Sequence, residues 1–146
     1  MSLDATPTES GVLADVDEID ETVETVETTV KADLKELARV RGWARAVLPD
    51  LTAELLTDIV MVLDELVSNA LRHAKPPIRV RLRRNRGKLR IEIDDGSPTA
   101  AAPTSPSSKG GRGMRIIEKT SVAWGQLRRP GGKTVWAELA LSARRS

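Results

Sequence analysis

Residues 52–74 read TAELLTDIVMVLDELVSNALRHA, and the rest of the chain is organised around this segment. Its apolar residues recur at steps of three and four, which predicts one long amphipathic helix that docks on a sheet. Thr52 has the side chain and the position of an N-cap. The apolar face consists of Leu55, Leu56, Ile59, Val62, Leu63, Leu66, Val67, Ala70 and Leu71.

A polar stripe runs along the same helix, beside its apolar face. Glu65, Asn69 and His73 are spaced four residues apart, so their side chains stack on one side of the helix. A carboxylate one turn from a carboxamide oxygen suits a hard cation such as Mg²⁺, and it can also accept a proton from a hydroxyl group. A solvated helix edge with one hydrogen-bonded histidine would show the same pattern, so the other segments must decide between the two interpretations.

Composition excludes several classes of site. The 146 residues suffice for one domain with a real core, and the absence of cysteine excludes disulfides, thiolate metal sites and cysteine nucleophiles. Because His73 is the single histidine, a multi-histidine metal site is excluded as well. No apolar run approaches the ~20 residues of a membrane span, and the acidic start lacks the features of a signal peptide. We therefore expect a cytoplasmic protein.

Charge divides the chain into two parts. Residues 1–36 hold 11 acidic and 2 basic residues, whereas residues 37–146 hold 10 acidic and 21 basic residues. We expect residues 1–20 to form a disordered acidic arm and residues 21–146 to form one basic domain. A basic surface favours anionic partners, and nucleotides, nucleic acids and acidic protein surfaces all fit this charge.

Further strands and helices are predicted around the central helix. The valines of residues 23–30 indicate a weak edge strand, and a first helix is expected between Asp33, its N-cap, and Pro49. Apolar residues alternate with charged ones in residues 78–93, which predicts an antiparallel hairpin. Two more strands are predicted at residues 122–128 and 133–141.

One face of the first hairpin is rich in arginine. Arg79, Arg81, Arg83 and Arg90 alternate with apolar residues and would bind nucleic acid if the face were a binding surface. No aromatic side chain is interleaved to stack on a base. We favour the interpretation as a solvated sheet face.

The hairpin ends in the sequence DDGSP, residues 94–98. Asp94 at a strand end places a carboxylate at the rim of the sheet, where it can accept a hydrogen bond from an exocyclic amine. Gly96 allows another group to approach the backbone closely. Formation of a turn would also explain these residue types.

A small, polar, proline-broken segment, residues 99–109, reads as a mobile loop or lid. It leads into GGRGMRIIEK, residues 110–119, in which three glycines open a helix. The amide groups at a helix N-terminus suit phosphate oxygens, and Lys109, Arg112 and Arg115 would add positive charge. A flexible hinge would have the same composition.

Four segments in this order resemble the GHKL ATPase superfamily and its Bergerat ATP-binding fold. They are ELVSNALRHA (65–74), DDG (94–96), GGRGM (110–114) and GKTVW (132–136). The resemblance covers residues 30–142 and is strongest to the small bacterial anti-sigma-factor serine/threonine kinases. It implies an α/β two-layer sandwich, in which a mixed, mostly antiparallel sheet of four or five strands carries three helices on one face. It also implies ATP and Mg²⁺ as cofactors.

The resemblance assigns a role to each matching residue. Glu65 is the expected catalytic base, and Asn69 is the expected ligand of Mg²⁺. Asp94 is expected to bind the amino group of adenine, with Gly96 making room for the ring. His73 is expected to make a structural hydrogen bond.

The resemblance also assigns the later segments to contacts with the phosphates or with the adenine end of the nucleotide. Thr134 is expected to support the adenine end or the phosphates, and the glycine-rich segment is expected to meet the phosphates under the lid. The residues of that segment expected to bind ATP are Lys109, Gly111, Arg112, Gly113 and Met114.

The implied function is transfer of the γ-phosphate of ATP to an antagonist protein. Such a kinase controls a sigma factor by partner switching, and its relatives are usually homodimers. Two alternatives stay open: a non-catalytic ATP-binding module that sequesters a protein partner, and a basic nucleic-acid-binding domain.

Overall fold

The computed structural model of the chain describes residues 23–97 and 111–141. The expected arm, residues 1–20, and the expected lid, residues 99–109, lie outside the described residues. In chain order, the described elements are β1 (Glu24–Val30), α1 (Glu36–Val47), α2 (Ala53–His73), β2 (Ile78–Asn85), β3 (Lys88–Asp95), α3 (Gly111–Thr120), β4 (Ala123–Arg129) and β5 (Gly132–Ala140).

The five strands form one sheet in the order β1-β2-β3-β5-β4, and all four pairings are antiparallel. Gly87, at φ 72°, closes the β2–β3 hairpin, and Gly131, at φ 81°, closes the β4–β5 hairpin. Glycine adopts this positive φ at no steric cost. The predicted fold class is confirmed, but the described strands include no parallel pair, whereas a mixed sheet was expected.

The two faces of the sheet differ in chemistry, because side chains alternate along each strand. On one side, Leu89, Ile91 and Ile93 of β3 are buried in the same core as Leu63 of α2 and Ile117 of α3. We call this side the helix face. The other side, the open face, carries Arg90, Glu92 and Asp94 of β3 together with the residues opposite them on β2 and β5.

Helix α2 is the central element of the core. Ile59, Leu63 and Val67 are fully buried along its apolar face, and each such side chain contributes about 1.5–3 kcal/mol by leaving water. The predicted N-cap is confirmed, since Thr52 Oγ1 accepts a hydrogen bond from the Leu55 N–H at 3.1 Å. None of the described helices combines the length and the apolar character that a bilayer crossing requires.

The start of α1 differs from the prediction. Asp33 was expected to be the N-cap, but the helix begins at Glu36. Asp33 Oδ1 accepts from the Lys35 N–H at 2.9 Å, and its carbonyl accepts from the Glu36 N–H at 2.9 Å. The aspartate therefore forms a turn of its own before the helix, a local arrangement that competes with capping.

Glu36 joins β1 to α1 through Arg39. The Glu36 carboxylate accepts from Arg39 Nε at 2.9 Å, from Arg39 Nη2 at 3.0 Å and from the Lys31 N–H at 3.0 Å. Arg39 Nη2 also donates to the Thr29 carbonyl at 2.7 Å. The hydrogen bonds from Arg39, and then the one from Lys31, lower the pKa of Glu36 from 4.5 to about 2.

We expect the variant Glu36→Gln to be less stable than the wild type at neutral pH, and the difference to disappear in acid. The folded state favours the ionised carboxylate, so its stabilising effect is complete above pH 4.5 and is lost as the pH falls towards 2. Urea unfolding at several pH values measures this difference, with Glu118→Gln on exposed α3 as the control. A stability difference that did not change with pH would contradict the proposed cause.

Candidate functional site

The polar stripe predicted on α2 is present in the structure. Glu65 and Asn69 are half-buried, one turn apart, and next to the buried Leu66 and Ala70. The stripe therefore lies at the border of the contact between α2 and the sheet. His73 is exposed as the last residue of α2, and its structural hydrogen bond stays a prediction.

A cationic side chain lies on the amide oxygen of Asn69. Arg72 Nη2 donates to Asn69 Oδ1 at 3.1 Å, while Arg72 Nη1 donates to Ser68 Oγ at 2.6 Å. Arg72 was not predicted as part of the site, although its spacing of three residues from Asn69 is the signal of such a contact. The contact occupies the amide oxygen expected to hold Mg²⁺ and places a positive charge beside it.

The donor set of the stripe fits Mg²⁺. The described part of the chain contains no group of three or more acidic or histidine side chains that could hold a metal ion. Mg²⁺ often takes one or two oxygen ligands from the protein and the remainder from substrate phosphates and water. Asn69 Oδ1 and the Glu65 carboxylate, one turn away, can supply one or two such protein ligands.

Asp94 and Thr134 lie on the open face of the sheet. They are directly opposite each other on β3 and β5, and Thr134 Oγ1 donates to Asp94 Oδ1 at 2.7 Å. Arg81 Nη2 donates to both carboxylate oxygens of Asp94, at 3.0 and 2.8 Å. The structure therefore does not bring these two residues to the side of the sheet that carries Glu65 and Asn69.

The next residue pair along the two strands lies on the helix face. Asp95 is opposite Lys133, and their side chains are only 2% and 5% exposed. Lys133 Nζ lies 3.2 Å from Asp95 Oδ1 and 3.0 Å from Oδ2. This buried ion pair was not predicted, although the alternation of Leu89, Ile91 and Ile93 places Asp95 on their side.

Gly96 permits a close approach, as predicted, but the approaching group is backbone. Its N–H donates to the Lys75 carbonyl at 2.8 Å, and a Cβ at this position would lie 2.7 Å from the Pro76 carbonyl oxygen. The contact holds the segment that follows α2 against the end of β3. It therefore brings the C-terminal end of α2 beside the strand end that carries Asp95.

The glycine-rich segment opens a helix, as predicted. Gly111, Arg112, Gly113 and Met114 form the first turn of α3, and Ile117 anchors this helix in the core. Lys109 lies outside the described residues. Contact of this segment with phosphate groups stays a prediction.

The sequence profile of the histidine kinase-like ATPase domain matches residues 30–139. The chain belongs to this family. The GHKL superfamily membership predicted from the four segments is thereby confirmed. No protein of curated function matches the chain in sequence.

Three solved structures are similar to this chain in fold. The RsbU and RsbW domains of Rv1364c from Mycobacterium tuberculosis match at 20% identity and TM-score 0.63, over 81% of this chain and 32% of that one. The histidine kinase domain of the blue-light-activated kinase EL346 from Erythrobacter litoralis matches at 17% identity and TM-score 0.56, over 85% and 70%. The histidine kinase AdeS from Acinetobacter baumannii matches at 14% and 0.51, over 84% and 71%. The chain thus spans about a third of the Rv1364c chain.

On the open face of this ATPase domain, Arg81, Arg83 and Arg90 are paired with acids. The Glu92 side chain is 7% exposed and accepts from Arg81 Nε at 2.8 Å and from Arg83 Nη1 at 3.3 Å, and it lies 3.0 Å from Arg90 Nε. Burial works against the charge of Arg81, but its hydrogen bonds to Glu92 and Asp94 raise its pKa. These pairs favour a structural sheet face over a nucleic-acid-binding surface.

We expect Glu92→Gln to destabilise the ATPase domain by about 3 kcal/mol, because three guanidinium groups would lose a shared, buried carboxylate. Urea unfolding measures this loss. Glu138→Gln is the matched control on the same face, since Glu138 lies 3.7 Å from Arg90 and is 25% exposed, and it should cost less than about 1 kcal/mol. Equal losses in the two variants would contradict the central role of Glu92.

Proposed function

We propose that this histidine kinase-like ATPase domain is a protein serine/threonine kinase of the anti-sigma-factor type. It transfers the γ-phosphate of ATP to an antagonist protein and controls a sigma factor by partner switching. The observation that carries the proposal is the position of Glu65 and Asn69, one turn apart on α2, in a chain of this family. The order of the four segments that resemble anti-sigma-factor kinases supports it.

The polar stripe of α2 supplies the groups that phosphoryl transfer needs. Glu65 accepts the proton of the attacking serine or threonine hydroxyl. Asn69 would hold Mg²⁺, which would supply neutralising charge to the phosphates. Arg72, at the same end of α2, adds a fixed positive charge beside the amide oxygen of Asn69.

Base recognition is assigned to Asp95 in this proposal, and not to Asp94. A nucleotide held between the sheet and α2 meets the helix face, on which Asp95 lies. Asp94 is on the open face, where Arg81 and Thr134 donate hydrogen bonds to its oxygens. A carboxylate on the helix face accepts a hydrogen bond from the exocyclic amine of adenine.

We expect Glu65→Gln to retain ATP binding but to lose phosphoryl transfer by roughly 10²-fold or more, because a carboxamide cannot act as a base. Transfer of labelled phosphate from ATP to proteins that co-purify with the full chain measures the activity. Glu54→Gln, in the exposed first turn of α2, is the control and should transfer normally. Equal transfer by Glu65→Gln and the wild type would remove Glu65 from the proposed mechanism.

The two neighbouring aspartates provide a test of which sheet face binds the base. We expect Asp95→Asn to weaken ATP binding about 10-fold or more, since a hydrogen bond to a charged group is lost. Asp94→Asn should leave the affinity within about threefold of the wild type. Calorimetric titration with ATP, with and without Mg²⁺, measures both. The opposite order of effects would return the role to Asp94, and folded wild-type protein that bound no ATP would end the proposal.

One contact favours a second candidate function, a non-catalytic ATP-binding module that sequesters a protein partner. Asn69 Oδ1, the expected metal ligand, already accepts a hydrogen bond from Arg72. A module of this kind would bind ATP equally well without Mg²⁺ and would transfer no phosphate to any co-purified protein. The same titrations and labelling experiments therefore separate it from the kinase.

A further inference from the structure

A buried lysine occupies the position next to the proposed base-binding carboxylate. Lys133 Nζ lies within 3.2 Å of both oxygens of Asp95. Ser97 N–H donates to Asp95 Oδ1 at 2.7 Å. Burying an ammonium group costs free energy unless the group is paired. The proposed kinase reaction gives Lys133 no role that would account for its burial.

The described residues do not use the full hydrogen-bonding capacity of either charged group. A carboxylate has about four acceptor positions, and an ammonium group has three donors. Among the described residues, Oδ1 of Asp95 contacts both Ser97 and Lys133, whereas Oδ2 contacts Lys133 alone. The described residues thus leave an acceptor position on Oδ2 and a donor on the neighbouring Nζ.

We propose that Lys133 determines the base specificity of this site. Asp95 Oδ2 accepts a hydrogen bond from the amine at C6 of adenine, and Lys133 Nζ donates to the adjacent ring nitrogen N1. A carboxylate alone can recognise only the amine of the base. A carboxylate beside an ammonium group can recognise the amine and N1 together. This inference rests on the proposed function, because it describes how the same nucleotide site distinguishes its base.

The backbone around Lys133 is held in place on three sides. Lys133 is paired with Asp95 across the strands, and Arg129 Nη2 donates to the Lys133 carbonyl at 3.0 Å. The preceding Gly132 packs so closely on the Asp95 carbonyl that a methyl group there would overlap it. With the backbone held in this way and Nζ paired with Asp95, the donor is preorganised, which lowers the entropic cost of binding.

Nucleotide analogues test the inference in the unmodified full chain. We expect 1-deaza-ATP, which has a C–H in place of N1, to bind about 10-fold or more weakly than ATP, because the charged donor loses its acceptor. The control 7-deaza-ATP, altered at the opposite edge of the base, should bind within about threefold of ATP. Calorimetry measures all three affinities. If ATP binds and 1-deaza-ATP binds as tightly, the role of Lys133 is wrong while the proposed function stands.

A substitution tests the same contact from the protein side. Lys133→Met keeps the length of the side chain but removes its donors, so it should weaken ATP binding and abolish the preference for ATP over 1-deaza-ATP. Lys88→Met, an exposed lysine at the start of β3, should retain that preference. Tighter ATP binding by Lys133→Met would overturn the inference, because the lysine would then compete with the base. If this variant does not fold, the analogue series in the wild type decides alone.

A protein that is folded but binds none of these nucleotides overturns the proposed function, and the role of Lys133 with it. Thermal unfolding of each variant shows whether it is folded before titration. A purely structural role for Lys133 predicts a lower melting temperature with an unchanged ratio of ATP to 1-deaza-ATP affinity. That result would also overturn the inference.

Discussion

The antiparallel register between β3 and β5 determines the chemistry of both faces of the sheet. In this register Asp94 is opposite Thr134, and Asp95 is opposite Lys133. A shift of one residue would move every side chain to the other face. It would also expose Leu89, Ile91 and Ile93, which are fully buried, at a cost of about 1.5–3 kcal/mol each. The apolar core therefore decides which carboxylate faces α2.

Features that depend on local geometry could be predicted from the sequence. Glu65 and Asn69 share one side of α2 because residues four apart always do so in a helix. The Thr52 cap and the hairpin at Gly87 depend on only a few neighbouring residues. Asp33 was predicted less well, because two local hydrogen-bonding patterns, a cap and a turn, compete for the same carboxylate.

The carboxylate that we propose for adenine binding was more difficult to identify from the sequence, since two aspartates precede Gly96. The resemblance to the family matched the first of them, whereas the alternation of buried residues along β3 favours the second. Lys133 could not be found from local sequence at all. A lysine after two glycines looks like an exposed turn residue, and only its pairing with Asp95 across the strands explains its burial.

The two faces use ion pairs in different ways. On the open face, Glu92 is shared by several arginines. Breaking one of these ion pairs therefore disturbs the others. On the helix face, Asp95 and Lys133 have each other as their charged partners among the described residues. A ligand that offers a donor next to an acceptor can join that pair without leaving either charge unpaired in a buried site. An isolated ion pair of this kind is therefore compatible with a binding site, whereas the shared network of the open face stabilises the sheet.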